Sequence, residues 1–420
     1  MTWKGPHSAL ERFLRYVQID TESDPAADTT PTTAKQFNLS RLLADELRAM
    51  GAEEVLCDEH AYVYATLPAT VDHEVPVICF CSHVDTTPDV TGANVRPQVH
   101  DHAAGQTIVV DATRGLELSE ELHPYLKQHR GHRVVTASGN SLLGADDKAG
   151  VAAIMDAAQY LLANPQIPHG KIRVLFTPDE EVGRGTAKVD MKLLGADFGY
   201  TLDGAEAGTF EGETFSADAA SVVITGVSAH PGYAKGKMVN ALRVMAYLVE
   251  QLPKDAHSPE VTSGREGFAH LVTAQGSAEE ARLEFILRSF DTPKLDDMYA
   301  LVEEACAKTR LAYPRAQIHV KRTEQYRNLG ETLSDHPEVL NNVRTAIQRV
   351  GLKPVQGVIR GGTDGSKLSF MGMPCPNLFT GMQMIHSRLE WVGERDLNLS
   401  AETIVELAQV WAENATNHKS

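Results

Sequence analysis

The feature that most constrains this chain is a set of short apolar strands that each lead into a histidine or an acid. Val77–Pro88 reads VICFCSHVDTTP, Ile172–Phe176 leads into Thr177-Pro178-Asp179-Glu180-Glu181, Phe198–Leu202 leads into Asp203-Gly204, and Asn377–Phe379 is followed a turn later by His386. Between them lie stretches with helical spacing of apolar residues, at Ala34–Met50, Ala149–Leu162, Pro337–Val350 and Ala401–Glu413. A further helix spans Ser8 to about Asp20, and a hairpin joins Glu54–Cys57 to Tyr62–Leu67. Strands alternating with helices imply an α/β fold class, in which the working loops gather at strand ends.

The alternation breaks after Glu213. Ala220–Gly226 reads as a strand, Val239–Leu252 as a helix, Ala269–Ala274 and Leu283–Phe290 as strands, Leu295–Leu311 as a helix and Gln317–Lys321 as a strand. That βαββαβ order is ferredoxin-like. A chain of 420 residues exceeds what one core usually organises, so two domains are expected. Residues 1–214 and 327–420 form a catalytic α/β domain, and 215–326 form an inserted ferredoxin-like domain.

Composition excludes some classes. With 39 Lys+Arg against 56 Asp+Glu the formal charge is −17, which repels nucleic acid and anionic membrane surfaces. The first twenty residues carry Glu11, Arg12 and Arg15 among their apolar positions and do not form a signal peptide, and no segment approaches the length of a membrane span. Cys57, Cys79, Cys81, Cys306 and Cys375 are odd in number and lack C-x-x-C spacing, which fits reduced thiols in a cytoplasmic protein.

Each polar strand end has a plain reading and a chemical one. His83 and Asp85 share one face of their strand, as a turn or as a metal-binding imidazole oriented by a carboxylate. Asp146-Asp147 precede a helix; one can cap it while the other faces outward. Asp179-Glu180-Glu181 is a solvated acidic loop or a ligand loop, and Asp203 and His386 are each ambiguous alone. Together they supply His83, Asp146, Glu181, Asp203 and His386 as metal ligands, with Glu180 left over and Asp85 behind His83. Imidazole and carboxylate without thiolate suit zinc, with cobalt or manganese as substitutes. Two metals sharing Asp146 would lie roughly 3.5–4 Å apart.

The segments Ser82–Thr86, Gly144–Lys148, Pro178–Gly183, Leu202–Gly204, Gly361–Gly365 and His386 resemble the signature segments of the M20 dinuclear-zinc metallopeptidases along nearly the whole chain. The resemblance implies two Zn2+ per subunit, one held by His83, Asp146 and Asp203, the other by Asp146, Glu181 and His386. It implies Glu180 as general base and a lid histidine, matched by His230 in Ser228–Gly232, at the substrate carbonyl oxygen. Asn240, Arg288 and Arg360 are candidates for a peptide carboxylate, against surface ion pairing for the arginines. The implied reaction is release of the N-terminal residue from a tripeptide. The alternatives are another hydrolase of the family (a dipeptidase, carboxypeptidase or N-acyl amino acid deacylase) and a non-catalytic metal-binding homologue, against which the presence of Glu180 argues. The inserted domain would act as lid and as the interface of a homodimer, since its edge strands can pair with a twin.

Overall fold

Strands that are apolar on both faces must be covered on both sides, and this determines the main sheet. Ile78–His83, Val63–Leu67 and Ile172–Thr177 are buried at every position. A computed structural model describes Trp3 and residues 5–417. In it these strands lie in an eight-stranded mixed sheet. Its spatial order is Glu53–Cys57, Val63–Leu67, Ile172–Thr177, Ile78–His83, Phe198–Gly204, Asn377–Phe379, Thr209–Thr214 and Val355–Ile359.

Ile78–His83 pairs in parallel with Ile172–Thr177 on one side and Phe198–Gly204 on the other, and Asn377–Phe379 is parallel to Phe198–Gly204. Four neighbouring strands therefore end at the same edge of the sheet. His83, the Asp179–Glu181 loop, Asp203 and the approach to His386 converge there because strand direction carries them there, which is where α/β sheets place their sites.

The helix Ala145–Ala163 covers one face and is buried along most of its length. Gly150 permits this: a Cβ there would stand 2.0 Å from the carbonyl oxygen of Leu202. The helices Ala9–Tyr16 and Glu394–Asn417 pack on its outer side. Among the described residues no helix is long and apolar enough to cross a membrane.

Several helix ends differ from expectation. The first helix stops at Tyr16, not near Asp20, and the last begins at Glu394, not Ala401. The early start of the last helix is physical: Asp396 in its first turn is fully buried and accepts from the Tyr125 hydroxyl at 2.8 Å, a contact that periodicity does not reveal. Residues 88–140 hold short strands, of which Gln98–Asp101 and Arg133–Thr136 pair with each other, and Trp391–Gly393 adds a third strand beside Arg133–Thr136.

This compact unit takes in the chain up to Gly212, then Thr332–Gly357 and the chain from Thr363 onward. The second unit is Glu213–Glu331 with Val358–Gly362. It contains a four-stranded antiparallel sheet in the order Phe268–Gly276, Glu280–Ser289, Ser216–Thr225, Gln317–Tyr326, which is the ferredoxin-like arrangement. Ala220, Val222 and Ile224 alternate toward Leu283, Phe285 and Leu287, and together they bury Val244 and Leu248 of Ala241–Glu250 and Val302 and Cys306 of Leu295–Ala312. Phe268–Gly276 and Gln317–Tyr326 are its edge strands.

Candidate metal centre

Asp146 is the hub of the strand-end cluster. Its Oδ1 lies 2.9 Å from His83 Nε2 and its Oδ2 lies 3.4 Å from His386 Nε2, so one carboxylate faces an imidazole with each oxygen. Asp203 Oδ1 lies 3.9 Å from His83 Nε2, and Glu181 Oε2 lies 3.0 Å from His386 Nε2. Two overlapping triads result, His83–Asp146–Asp203 and Asp146–Glu181–His386, with the ligand atoms of each within 4.8 Å of one another.

Local structure aims these side chains. The Asp146–Asp147 peptide is cis, and both residues leave helical geometry inside the helix start. Asp147 turns inward, accepting from the Ser82 hydroxyl, the His83 N–H at 3.2 Å and the Gly150 N–H at 3.3 Å. It serves as the cap, which leaves Asp146 free to face outward. Asp179 and His386 both have left-handed backbones, with φ of 59° and 57°, a region that non-glycine residues seldom adopt and that clusters at functional sites. Asp179 is buried and accepts from Thr32 and Gln36. It anchors the acidic loop to the body of the unit.

Asp85 sits behind His83 as expected, its Oδ1 3.3 Å and its backbone oxygen 3.1 Å from Nδ1. Its carboxylate also accepts the N–H of Glu180 at 3.0 Å and of Glu181 at 3.1 Å. One buried acid thus fixes a ligand and the loop that bears the two glutamates. His386 has its own outer carboxylate, Asp89, at 3.0 Å from Nδ1. Asp89 was not singled out in the sequence; its four-residue spacing from Asp85 was the only signal.

The charges are unbalanced. Burial pushes the Asp203 carboxyl well above the usual range, with Asp146 and Asp147 adding to it. Burial likewise raises Glu180, with Asp364, Glu181 and Asp85 reinforcing it against His83. Glu181 is pushed up to about 7 by burial and by Asp146. For Asp146, burial acts upward, but hydrogen bonds from His386 and His83 outweigh it and hold the carboxyl low. His386 is raised to about 11, chiefly by its hydrogen bonds to Asp146 and Glu181. Glu181 Oε1 is buried with no hydrogen-bond partner among the described residues, an orphan acceptor of the kind a metal ion would satisfy. Donor chemistry, spacing and the orphan oxygen all fit divalent cations.

The remaining candidates lie in the second unit. His230 is exposed; its Nδ1 accepts the Gly232 N–H at 3.2 Å, which places the ring proton on Nε2. Asn240 caps the helix Ala241–Glu250 through the Leu242 N–H at 2.9 Å. Arg288 donates to the carbonyls of Asp218 and Leu287 and to Gln325, and lies over the Tyr326 ring. Arg360 donates to the carbonyls of Gly264 and Glu266 and to the Thr262 hydroxyl, over Phe215 and Phe268.

Two overlapping His/carboxylate triads that share an aspartate, at the carboxyl edge of an α/β sheet, define a two-metal hydrolase. The chain belongs to peptidase family M20/M25/M40, whose model matches residues 136–410. Peptidase T of Geobacillus kaustophilus is 44% identical over 408 residues, covering 97% of this chain and 99% of that protein. Among solved structures, a tripeptidase from Staphylococcus aureus is similar with a TM-score of 0.76 and 26% identity, over 96% of this chain and 98% of that one. Aminopeptidase PepT from Bacillus cereus matches with a TM-score of 0.74 and 24% identity, over the same shares.

Proposed function

We propose that this protein is a two-zinc aminopeptidase that releases the N-terminal residue from tripeptides. The observation that carries the reading is Asp146 presenting one oxygen to each of two imidazoles. His83, Asp146 and Asp203 would hold one cation and Asp146, Glu181 and His386 the other; zinc suits the donors, with cobalt or manganese as substitutes. Bound there, such a pair supplies a water acidified toward neutral pH and a polarised carbonyl.

The chain's own groups do the rest. Asp85 holds His83 with Nε2 facing inward and fixes the backbone of Glu180 and Glu181. Glu180, whose carboxyl is raised by burial, takes the proton of the attacking water and returns it to the leaving amine. His230, with its proton on Nε2, donates to the carbonyl oxygen as negative charge builds there. Asn240, Arg288 and Arg360 remain the candidates for the substrate carboxylate.

In this reading residues 1–214 and 327–420 are the catalytic domain and 215–326 a lid that also joins two subunits. Its exposed edge strands support pairing with a second copy, and a monomer by sedimentation at micromolar concentration with full activity would refute the homodimer. Five free thiols, four of them buried, support a cytoplasmic location. The substrate is tested with zinc-loaded protein against matched di-, tri- and tetrapeptides and N-acetyl amino acids, with products identified. Loss of the first residue from tripeptides is expected; preference for N-acetyl substrates would overturn the assignment.

A further inference from the structure

The loop that carries His386 does more than supply a ligand. It begins at Gln383 and ends at Trp391, where the two residues exchange backbone hydrogen bonds of 2.9 and 3.0 Å. Inside it the Ser387 hydroxyl donates to the Met384 carbonyl at 2.6 Å and accepts the Leu389 N–H at 3.2 Å. The excursion is therefore held at its base and across its middle. At its far end stands Glu390, a carboxylate 1% exposed in a protein where buried acids need partners.

Those partners are all on one segment. Glu390 Oε2 accepts the N–H of Leu143 and of Gly144, each at 2.7 Å, and Oε1 accepts the N–H of Asp146 at 2.9 Å. Backbone donors in this number, two of them at the short end of the charge-assisted range, fix the path of the chain into Asp146. Gly144 in that segment has φ of 84°, so the turn is bent as well as bound.

We infer that Glu390 is a positioning residue that sets the bridging carboxylate of Asp146 against His386, so that one loop governs both cation sites at once. This role rests on the two-cation reading. A single loop presents His386 directly to the second site and, through Glu390, holds the residue common to both. Loosening Glu390 must then weaken both sites together, whereas loss of a terminal ligand such as Asp203 weakens mainly one.

The test is zinc affinity, measured by competition against a chromophoric chelator, for the full-length wild type and for Glu390→Gln, Glu390→Asp and Asp203→Asn. An amide can still accept from Leu143 and Gly144 but turns its NH2 toward the Asp146 N–H. Both zinc affinities of Glu390→Gln should fall together, by about 10- to 100-fold, the range for partners standing behind metal ligands. Asp203→Asn should lose one affinity preferentially. Glu390→Asp, which keeps the charge but is one methylene too short to span the three donors, should show the same paired loss and serves if the glutamine variant does not fold. Wild-type affinities in a folded Glu390 variant, even with lower thermal stability, would reduce Glu390 to a structural acid and overturn the inference. A wild type that binds no zinc would overturn the two-cation reading itself, and the inference with it.

Discussion

Replacing Asp85 by asparagine probes the junction between ligand and base. In the native chain its carboxylate accepts the N–H groups of Glu180 and Glu181 at 3.0 and 3.1 Å while facing His83 Nδ1. An amide of the same shape keeps one acceptor and turns its NH2 toward the other N–H. One hydrogen bond to a charged acceptor is lost, about 1.5–3 kcal/mol, and the acidic loop is no longer held at both glutamates. If that energy is spent on placing Glu180, kcat/KM falls roughly 10- to 150-fold. His83 is largely spared, because the Asp85 backbone carbonyl also lies 3.1 Å from Nδ1 and keeps the ring's tautomer. The assay is tripeptide turnover at saturating zinc, with bound zinc measured on the same sample. Reduced kcat/KM with both zinc ions present is the expected result. Activity within twofold of wild type, or a loss fully reversed by excess zinc, would refute the reasoning.

His230→Ala should lower kcat by about a hundredfold, the scale of one oxyanion donor, with zinc content unchanged; an unaltered kcat would leave His230 as a turn residue. A pH effect is expected at the N-terminal segment. Burial alone would lower His7, but hydrogen bonds to Asp156 and Glu402 outweigh it and raise its pKa from 6.5 to about 9. A folded-state pKa above the unfolded one means the contribution is complete below about pH 6.5 and is lost as pH rises through about 9. The difference in melting midpoint between wild type and His7→Gln should therefore shrink across that window, and a pH-independent difference would contradict the pairing.

Among the candidate ligands, His83, Glu181 and Asp203 were legible because each ends or closely follows a buried strand, where solvation alone hardly explains an acid or histidine; Asp146 was legible because a helix start needs only one of two adjacent aspartates as its cap. The insert was readable for a related reason: its alternating strands and helix-spaced apolar residues are local patterns, and Val222, Leu283 and Val302 meet as those periods require. What stayed hidden depends on contacts between distant parts of the chain. Trp391–Gly393 joins Arg133–Thr136 across more than two hundred residues, and the short strands of that region have no apolar run to mark them. Asp85 was legible as the partner of His83 two positions away, but not as the acceptor for Glu180 and Glu181. Glu390, between Leu389 and Trp391, gave no signal because its partners are backbone N–H groups, which every residue but proline carries. The helix Asp364–Phe370 follows a pair of glycines that mask its start.

In the proposed mechanism five ligands hold two cations while Glu180 moves the proton. Bound zinc and turnover, measured together for Glu180→Gln and Glu181→Gln, test it most directly. Glu180→Gln should retain both zinc ions and lose about 10²- to 10⁴-fold in turnover, since an amide cannot accept the water's proton. Glu181→Gln should bind the second zinc more weakly and recover part of its activity in excess zinc. Loss of a zinc from Glu180→Gln with both kept by Glu181→Gln would reverse the two roles, and full turnover in both variants would contradict the mechanism.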